Sequence, residues 1–263
     1  MLVDSHLWRE VDVVVRTGST NADLAARTVE QDLSEGYVLV ADEQSAGRGR
    51  LGRTWSAPPR SGLAVSALLR PAGVDPARWS WLPLLTGLAV VDVLQRICGL
   101  PAALKWPNDV LVGAGAPVGA GKVCGILAER VTSAAGPAVV MGMGLNVSLT
   151  VDELPVPTAT SLALEGSACT DREVLLRAYL RALEHRYDRW RSAGGDPRAS
   201  DIAAAYRECC STIGQAVRVS VPSGEIIAGQ ADGVDDSGRL LVHDAKGVTH
   251  ALAAGDVTHV RTA

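Results

Sequence analysis

Residues 43–55 read EQSAGRGRLGRTW, and the choice of fold turns on this stretch. Gly47-Arg48-Gly49-Arg50-Leu51-Gly52 matches G-x-G-x-x-G, the spacing of a dinucleotide-binding loop. In that fold a strand feeds the loop directly and a helix opens from it, so that helix N–H groups meet the pyrophosphate. Here the apolar run YVLVAD stops at Asp42, and Gly52 is followed by Arg-Thr-Trp-Ser-Ala-Pro-Pro, which starts no helix promptly. No crossover unit with a ribose-binding acid follows, and a dinucleotide fold is excluded. What remains is a loop in which glycines permit tight backbone paths. Its three arginines, Arg48, Arg50 and Arg53, offer planar forks to carboxylate or phosphate oxygens.

Outward from the loop the chain alternates elements. Residues 11–16 form a short strand ending in TGSTN, and NADLAARTV is a helix with Thr20 and Asp23 as a capping-box-like start. Residues 37–42 and 62–70 are strands, and residues 43–61 between them have no hydrophobic period. Leu84, Leu88, Val91 and Leu94 predict an amphipathic helix ending near Cys98-Gly99. ALKWPNDVLV, GKVCGILAERV and PAVVMGMGLNVSL are three strand-like runs; GAGAPVGAG, residues 113–121, joins the first two as a connection expected to be mobile. Leu176, Leu180, Leu183, Tyr187 and Trp190 predict a long helix, and a shorter one follows near residues 202–209. Beyond Gly214, alternating Val217, Val219 and Val221 and the turns DDSG and DAKG predict a small barrel-like β module that leans on the larger domain.

The totals narrow the function classes. The 263 residues carry a net charge of −4 and only one dense basic cluster, the quoted stretch with Arg60. That favours a local anion site over a duplex-binding face, since neutralising phosphates dominates nucleic-acid affinity. Phenylalanine is absent, so the core must rest on aliphatic residues and six tryptophans. Five cysteines with no C-x-x-C pair support neither a zinc site nor a disulfide framework, and free thiols suit a reducing cytoplasm. The N-terminus lacks the pattern of a signal peptide, and no apolar run of membrane length is expected.

Four further motifs accompany the loop. Ser19-Thr20-Asn21 lies where a strand ends and a helix opens, a place rich in free N–H groups. KWPND, residues 105–109, sets a cation, an indole, a proline, an amide and a carboxylate in a row, and Pro107 holds Trp106 extended. GKVCGIL puts Lys122 at the start of an apolar strand, and GMGLN ends another strand with Asn146. Each alone has an ordinary explanation as a cap, an edge charge or a turn.

In this order the motifs resemble those of the biotin protein ligases, from STN to about residue 149, and the C-terminal β module fits as well. The resemblance implies an α+β fold. Its catalytic domain, residues 1–210, would be a mixed β-sheet flanked by helices, like a class II aminoacyl-tRNA synthetase. Residues 211–263 would form a small SH3-like β-barrel. It implies biotin contacts from Ser19, Thr20, Asn21, Gln44, Arg48, Gly49, Arg50 and Lys122, and an ATP or adenylate side with Arg53, Trp55, Lys105, Asn108, Asp109 and Asn146. Arg48, Arg50 and Lys122 would be catalytic. The substrates would be biotin and ATP with Mg²⁺, whose ligands the sequence does not assign. The partner would be the acceptor lysine of a biotin carboxyl carrier protein domain.

The implied chemistry joins two anions, because the biotin carboxylate attacks the α-phosphate of ATP. Arginines and Lys122 would neutralise that repulsion, and residues 43–60 would close over the biotinyl-5′-AMP to exclude water. Trp55 either stacks on adenine or packs; Asp109 either orients Lys122 or holds a metal-bound water. The first strand starts near Val11, so the helix-turn-helix domain of the repressor members is not expected, nor is DNA binding or membrane association. A cytoplasmic monomer or homodimer is expected. Lipoate–protein ligase or octanoyltransferase chemistry is the nearest rival, with Cys124 as its only thiol inside a motif. A non-catalytic RNA-binding module is a second rival, disfavoured by the acidic charge.

Overall fold

A computed structural model of the chain describes residues 5–113 and 120–260. Seven strands build the larger sheet: β1 Glu10–Thr17, β2 Tyr37–Gln44, β3 Gly62–Leu69, β4 Ala102–Lys105, β5 Asp109–Val112, β6 Gly121–Ser133 and β7 Gly136–Asn146. Their order is β1-β2-β3-β7-β6-β5-β4. Only β1 and β2 pair in parallel, and helix α1, Thr20–Gln31, provides the crossover that a parallel pair requires. Helix α2, Leu82–Arg96, then carries the chain from β3 to the far edge, and β4 to β7 return as an antiparallel meander. Most of the GAGAPVGAG connection lies outside the described residues.

Side-chain alternation sorts the two faces of this sheet. Val38, Val40, Leu63, Val65, Val139, Met141 and Met143 face a core shared with α2 and with α3, Arg172–Ser192. Leu39, Leu68, Ala138 and Val140 point the other way and meet Leu24 of α1 in a smaller cluster. Trp81, Trp106 and Trp190 are fully buried, as are Tyr179, Tyr187 and Tyr206, so indoles and phenols fill the volume that phenylalanine usually takes. Of the six tryptophans only Trp55 stays outside the core.

Two details correct the sequence expectation. The α1 N-cap is Ser19, whose hydroxyl accepts from Ala22 N at 3.5 Å, and not Thr20; the Asp23 carboxylate instead takes the Thr17 hydroxyl. Residues Pro76–Arg96 do form a helical segment long and apolar enough to meet the dimensions of a membrane span. In that stretch 72% is buried inside the protein, between the sheet and α3, which is why a core helix carries that composition.

Five further strands, β8 Ala216–Ser220, β9 Ile226–Val234, β10 Leu240–His243, β11 Thr249–Leu252 and β12 Asp256–His259, make an antiparallel sheet in the order β11-β10-β9-β8-β12. Its buried Val217, Val219, Leu240, Val242 and Val257 belong to the same apolar cluster as α2 and α3. Docking is specific at the turn before β10. Trp81 Nε1 donates to the Asp236 carbonyl at 2.8 Å, Ser80 Oγ to the Ser237 carbonyl at 2.7 Å, and Trp106 Nε1 to the Gly238 carbonyl at 3.2 Å. Trp81→Phe removes one of these donors and leaves a cavity. We expect a loss of about 1–3 kcal/mol, read as a fall of several degrees in melting temperature, with the secondary structure kept.

Candidate functional site

One end of the larger sheet gathers the motifs. The C-terminal ends of β2, β4 and β7 and the N-terminal ends of β5 and β6 meet there, with the N-terminus of α1 above them. A cleft of about 110 Å³ is lined by Ser19, Thr20, Asn21, Gln44, residues 48–51, residues 53–55, residues 105–109 and Lys122. Thirteen of the fourteen motif residues therefore meet around one space. The exception is Asn146, buried behind it, whose Nδ2 donates to the Thr160 carbonyl at 2.9 Å.

The floor is made of glycines inside GKVCGIL and GMGLN, to which the resemblance gives no site role. Gly125 on β6 pairs with Gly144 on β7, and the Trp55 ring lies across both. A Cβ at Gly144 would meet that ring at 2.6 Å, and one at Gly125 would meet it at 2.9 Å. Gly142, two residues along β7, plays the same part for Asn21: a Cβ there would come 2.2 Å from Oδ1. In this state Trp55 packs on the floor, with Lys122 Nζ 5.5 Å from its ring centroid.

Lys122 reaches the site because β6 is irregular. Val110 pairs with Cys124 but Leu111 pairs with Lys122, so Val123 is an extra residue in the ladder. Strict alternation from Gly125 would turn Lys122 into the core; the bulge returns it to the cleft face. There Nζ sits 2.6 Å from Asp109 Oδ1, across from the hairpin that KWPND forms between β4 and β5. Asn108 ties that hairpin down, its Nδ2 donating to the Ile126 carbonyl at 2.8 Å.

The stretch 43–61, expected to lack regular structure, contains a small hairpin. Arg48 bridges Thr54, Trp55 N donates to the Gly47 carbonyl at 2.8 Å, and Gly49 N to the Arg53 carbonyl at 2.7 Å. Gly47 is required for close packing, since a Cβ would fall 2.3 Å from the Trp55 carbonyl oxygen. At the other end of the cleft, Thr20 N donates to Gln44 Oε1 at 2.9 Å, tying α1 to β2.

Charge decides what the cleft accepts. Five cations line it, Arg48, Arg50, Arg53, Lys105 and Lys122, against two carboxylates, Asp109 and Asp256. Lys122 pairs with Asp109, Arg48 with Glu129 on β6, and Arg53 with Asp256 on β12, its Nη1 lying 3.3 Å from Oδ1. Arg50 has no ion pair among the described residues, and burial lowers its affinity for its proton despite Asp109 and Asp256 nearby. A half-buried guanidinium without a counter-ion leaves this site ready for an anion. Asp256, Gly255 and Val257 bring the C-terminal sheet into the cleft wall, a contribution with no signal in the sequence because no motif surrounds it.

Comparison with known proteins identifies the family. Residues 13–146 match the biotin/lipoate A/B protein ligase family, and residues 212–260 match the biotin protein ligase C terminal domain. The chain is 44% identical to a biotin–[acetyl-CoA-carboxylase] ligase of Mycobacterium tuberculosis over 97% of this chain and 90% of that one. It is 32% identical to the enzyme of the same name from Paracoccus denitrificans, over 89% and 95%. The biotin protein ligase of Aquifex aeolicus, solved in complex with biotin and ATP, superposes with a TM-score of 0.78 at 27% identity, covering 97% of this chain and all of the other.

The Arg53–Asp256 pair clasps the loop to the C-terminal sheet. Arg53 holds the Asp256 carboxyl below its ordinary value, chiefly by hydrogen bonding. A lowered folded value means that the clasp persists above the ordinary aspartate range, about 3.9, and is lost as pH falls through the lowered value. We expect the Asp256 carboxyl carbon to titrate below about 3.9 by NMR, and to move up toward it in Arg53→Gln. An unchanged midpoint in that variant would show that the pair does not form in solution.

Proposed function

This chain belongs to the biotin/lipoate A/B protein ligase family, and from that premise we propose how its cleft performs biotin ligation. The protein is a biotin–[acetyl-CoA-carboxylase] ligase: it activates biotin with ATP and transfers it to a lysine of a biotin carboxyl carrier protein. The observation that carries the reading is the cluster of five cations over a glycine floor, with Arg50 lacking a counter-ion. We divide the chain near residue 210 into a catalytic domain and a C-terminal β domain, a division supported by separate matches at 13–146 and 212–260.

In the first half-reaction a biotin carboxylate oxygen attacks the α-phosphorus of ATP and pyrophosphate leaves, giving biotinyl-5′-AMP. Both reactants are anions, so the obstacle is charge repulsion. Arg48, Arg50 and Lys122 offset it where the new bond forms, and Arg53 faces the triphosphate tail. Ser19, Thr20, Asn21 and Gln44 line the polar wall that receives the neutral ring system of biotin. Lys105, Asn108 and Asp109 shape the nucleotide side, with Trp55 able to move from the floor onto adenine. Asn146 supports β7 from behind the wall.

In the second half-reaction the acceptor lysine amine attacks the mixed anhydride, an amide forms and AMP leaves. Mg²⁺ bound to the triphosphate would shield its charge, and Asp109 and Asp256 are the cleft carboxylates whose oxygens suit it. At rest Asp109 orients Lys122.

The thiol-dependent octanoyl transfer reading has no support in the site. Cys124 lies in the core, and burial raises its thiol far above the ordinary value, which suppresses the thiolate. The five free cysteines support a reducing, cytoplasmic setting. The net charge of −4 supports a protein acceptor and no DNA partner, and we keep both a monomer and a homodimer as assembly states.

Arg50→Ala and Lys122→Ala should each lower biotin-dependent ATP–pyrophosphate exchange by about 100-fold or more while leaving the melting temperature near that of the wild type. Near-normal exchange in both would remove these residues from the chemistry. The loop should also become resistant to trypsin within residues 47–53 when biotin and ATP are added. Equal cleavage with and without them would show that the hairpin is no lid.

A further inference from the structure

The two terminal strands of the larger sheet differ. β4 is four residues long and its outer edge is covered: Leu104 bridges Cys210, and its carbonyl accepts from Ser211 N at 2.7 Å. β1 is eight residues long and keeps one register with β2 from Glu10 to Thr17, without a bulge. No strand among the described residues pairs with its outer side. Edge strands are ordinarily guarded by a proline, a lysine or a bulge, because their free N–H and C=O groups template pairing with another chain. β1 has none of the three, and its Val13 and Val15 are 62% and 80% exposed.

The two faces of β1 carry different chemistry. Val11, Val13 and Val15 share one face by alternation, and the first two line a groove of about 380 Å³ with Leu176 and Leu180 of α3. Glu10, Asp12, Val14 and Arg16 share the other face, where Val14 packs toward α1. If two copies pair antiparallel about a two-fold perpendicular to the sheet, directly opposed residues share a face, so odd-numbered residues meet odd-numbered ones. With Val13 on the axis it meets its own copy, Val11 meets Val15, and Glu10 meets Arg16. One face becomes a continuous valine stripe, and the other gains two pairs of opposite charge, both favourable cross-strand arrangements. Glu10 has no other ion pair among the described residues, and Arg16 has only the 3.4 Å contact with Glu43.

Neighbouring registers are poorer. An axis at Asp12 sets that carboxylate directly against its own copy. An axis at Val14 takes Arg16 to Asp12, which Arg27 already holds at 2.7 Å, and leaves Glu10 without a partner. In the Val13 register the two Asp12 side chains lie only on a diagonal, each still paired with its Arg27. We infer that β1 is a homodimer interface: a second copy of this chain pairs antiparallel with it about a two-fold at Val13, joining the two seven-stranded sheets into one. Val15 of each copy then sits over the groove between β1 and α3 of the other. This selects the homodimer from the two assembly states and does not depend on the ligase reading. An edge pair of this length belongs to the small, reversible class of interfaces.

The test is sedimentation velocity of the full chain from about 1 to 200 µM. The wild type should pass from monomer to dimer across that range. Val13→Lys, which sets two ammonium groups against each other, should weaken association at least about 10-fold while keeping the melting temperature. Register is read by cross-linking. Val13→Cys brings two thiols into directly opposed positions, whose Cα atoms lie about 4.5–5.5 Å apart, within reach of a disulfide. Val15→Cys leaves its two thiols four residues apart along the strands, about 13 Å. Mild oxidation with diamide should therefore give covalent dimer from Val13→Cys alone, above the background that the native free cysteines give in the wild type. A chain that stays monomeric throughout, a dimer untouched by Val13→Lys, or equal cross-linking of the two cysteine variants overturns the inference. If Val13→Lys melts well below the wild type, the two cysteine variants decide the matter.

Discussion

Five like charges held around one small cleft repel one another, and the rest of the architecture answers that constraint. Each of three cations is matched by a carboxylate from a different element: Lys122 by Asp109 of the KWPND hairpin, Arg48 by Glu129 of β6, and Arg53 by Asp256 of the C-terminal sheet. Exposed pairs of this kind contribute little stability. Their effect is to hold long, flexible side chains in place before ligand arrives. Arg50 and Lys105 have no ion pair among the described residues and are left for the ligand to neutralise.

The glycine floor answers a steric constraint: Gly125, Gly142 and Gly144 clear the space that Trp55 and Asn21 occupy. The arginine-rich hairpin contacts the large sheet through Arg48–Glu129 and the Trp55 ring on the glycine floor, and the C-terminal sheet through Arg53–Asp256. The C-terminal sheet is docked in turn by Trp81, Trp106 and Ser80, which take three successive carbonyls of one turn. Trp106 belongs to the motif that also supplies Asp109, so the hairpin that orients Lys122 also anchors the second sheet.

Much of this was legible in the sequence, for identifiable reasons. Elements with a strong period, such as α3 and the strands of the meander, lie near their expected places because one face of each is buried. Site residues were legible where a rare residue type interrupts such a pattern, as Lys122 does in an apolar strand. The α1 cap was misplaced by one residue because Ser19 and Thr20 are chemically equivalent candidates, and only the backbone angles choose between them. The 15 residues of α2 are too few for a span by themselves, and only with the preceding turn Pro76–Trp81 does the helical segment reach 21 residues. Glycines of the floor carried no signal, since a glycine in a strand looks the same whether it marks a bulge or makes room for a neighbour.

The sequence by itself determined the element order, the exclusion of a dinucleotide fold, and the set of cations and amides available for an anion-handling site. Local chemistry suffices for those: periodicity, turn residues and the missing helix after Gly52 act over a few positions. Only the tertiary structure decided which charges pair, that Lys122 faces the cleft, and that Asn146 stands behind it. It also brought in Glu129 and Asp256. Those outcomes depend on contacts between residues far apart in the chain, such as Arg53 with Asp256, and on one bulge that reverses the direction of a side chain. No local pattern encodes either.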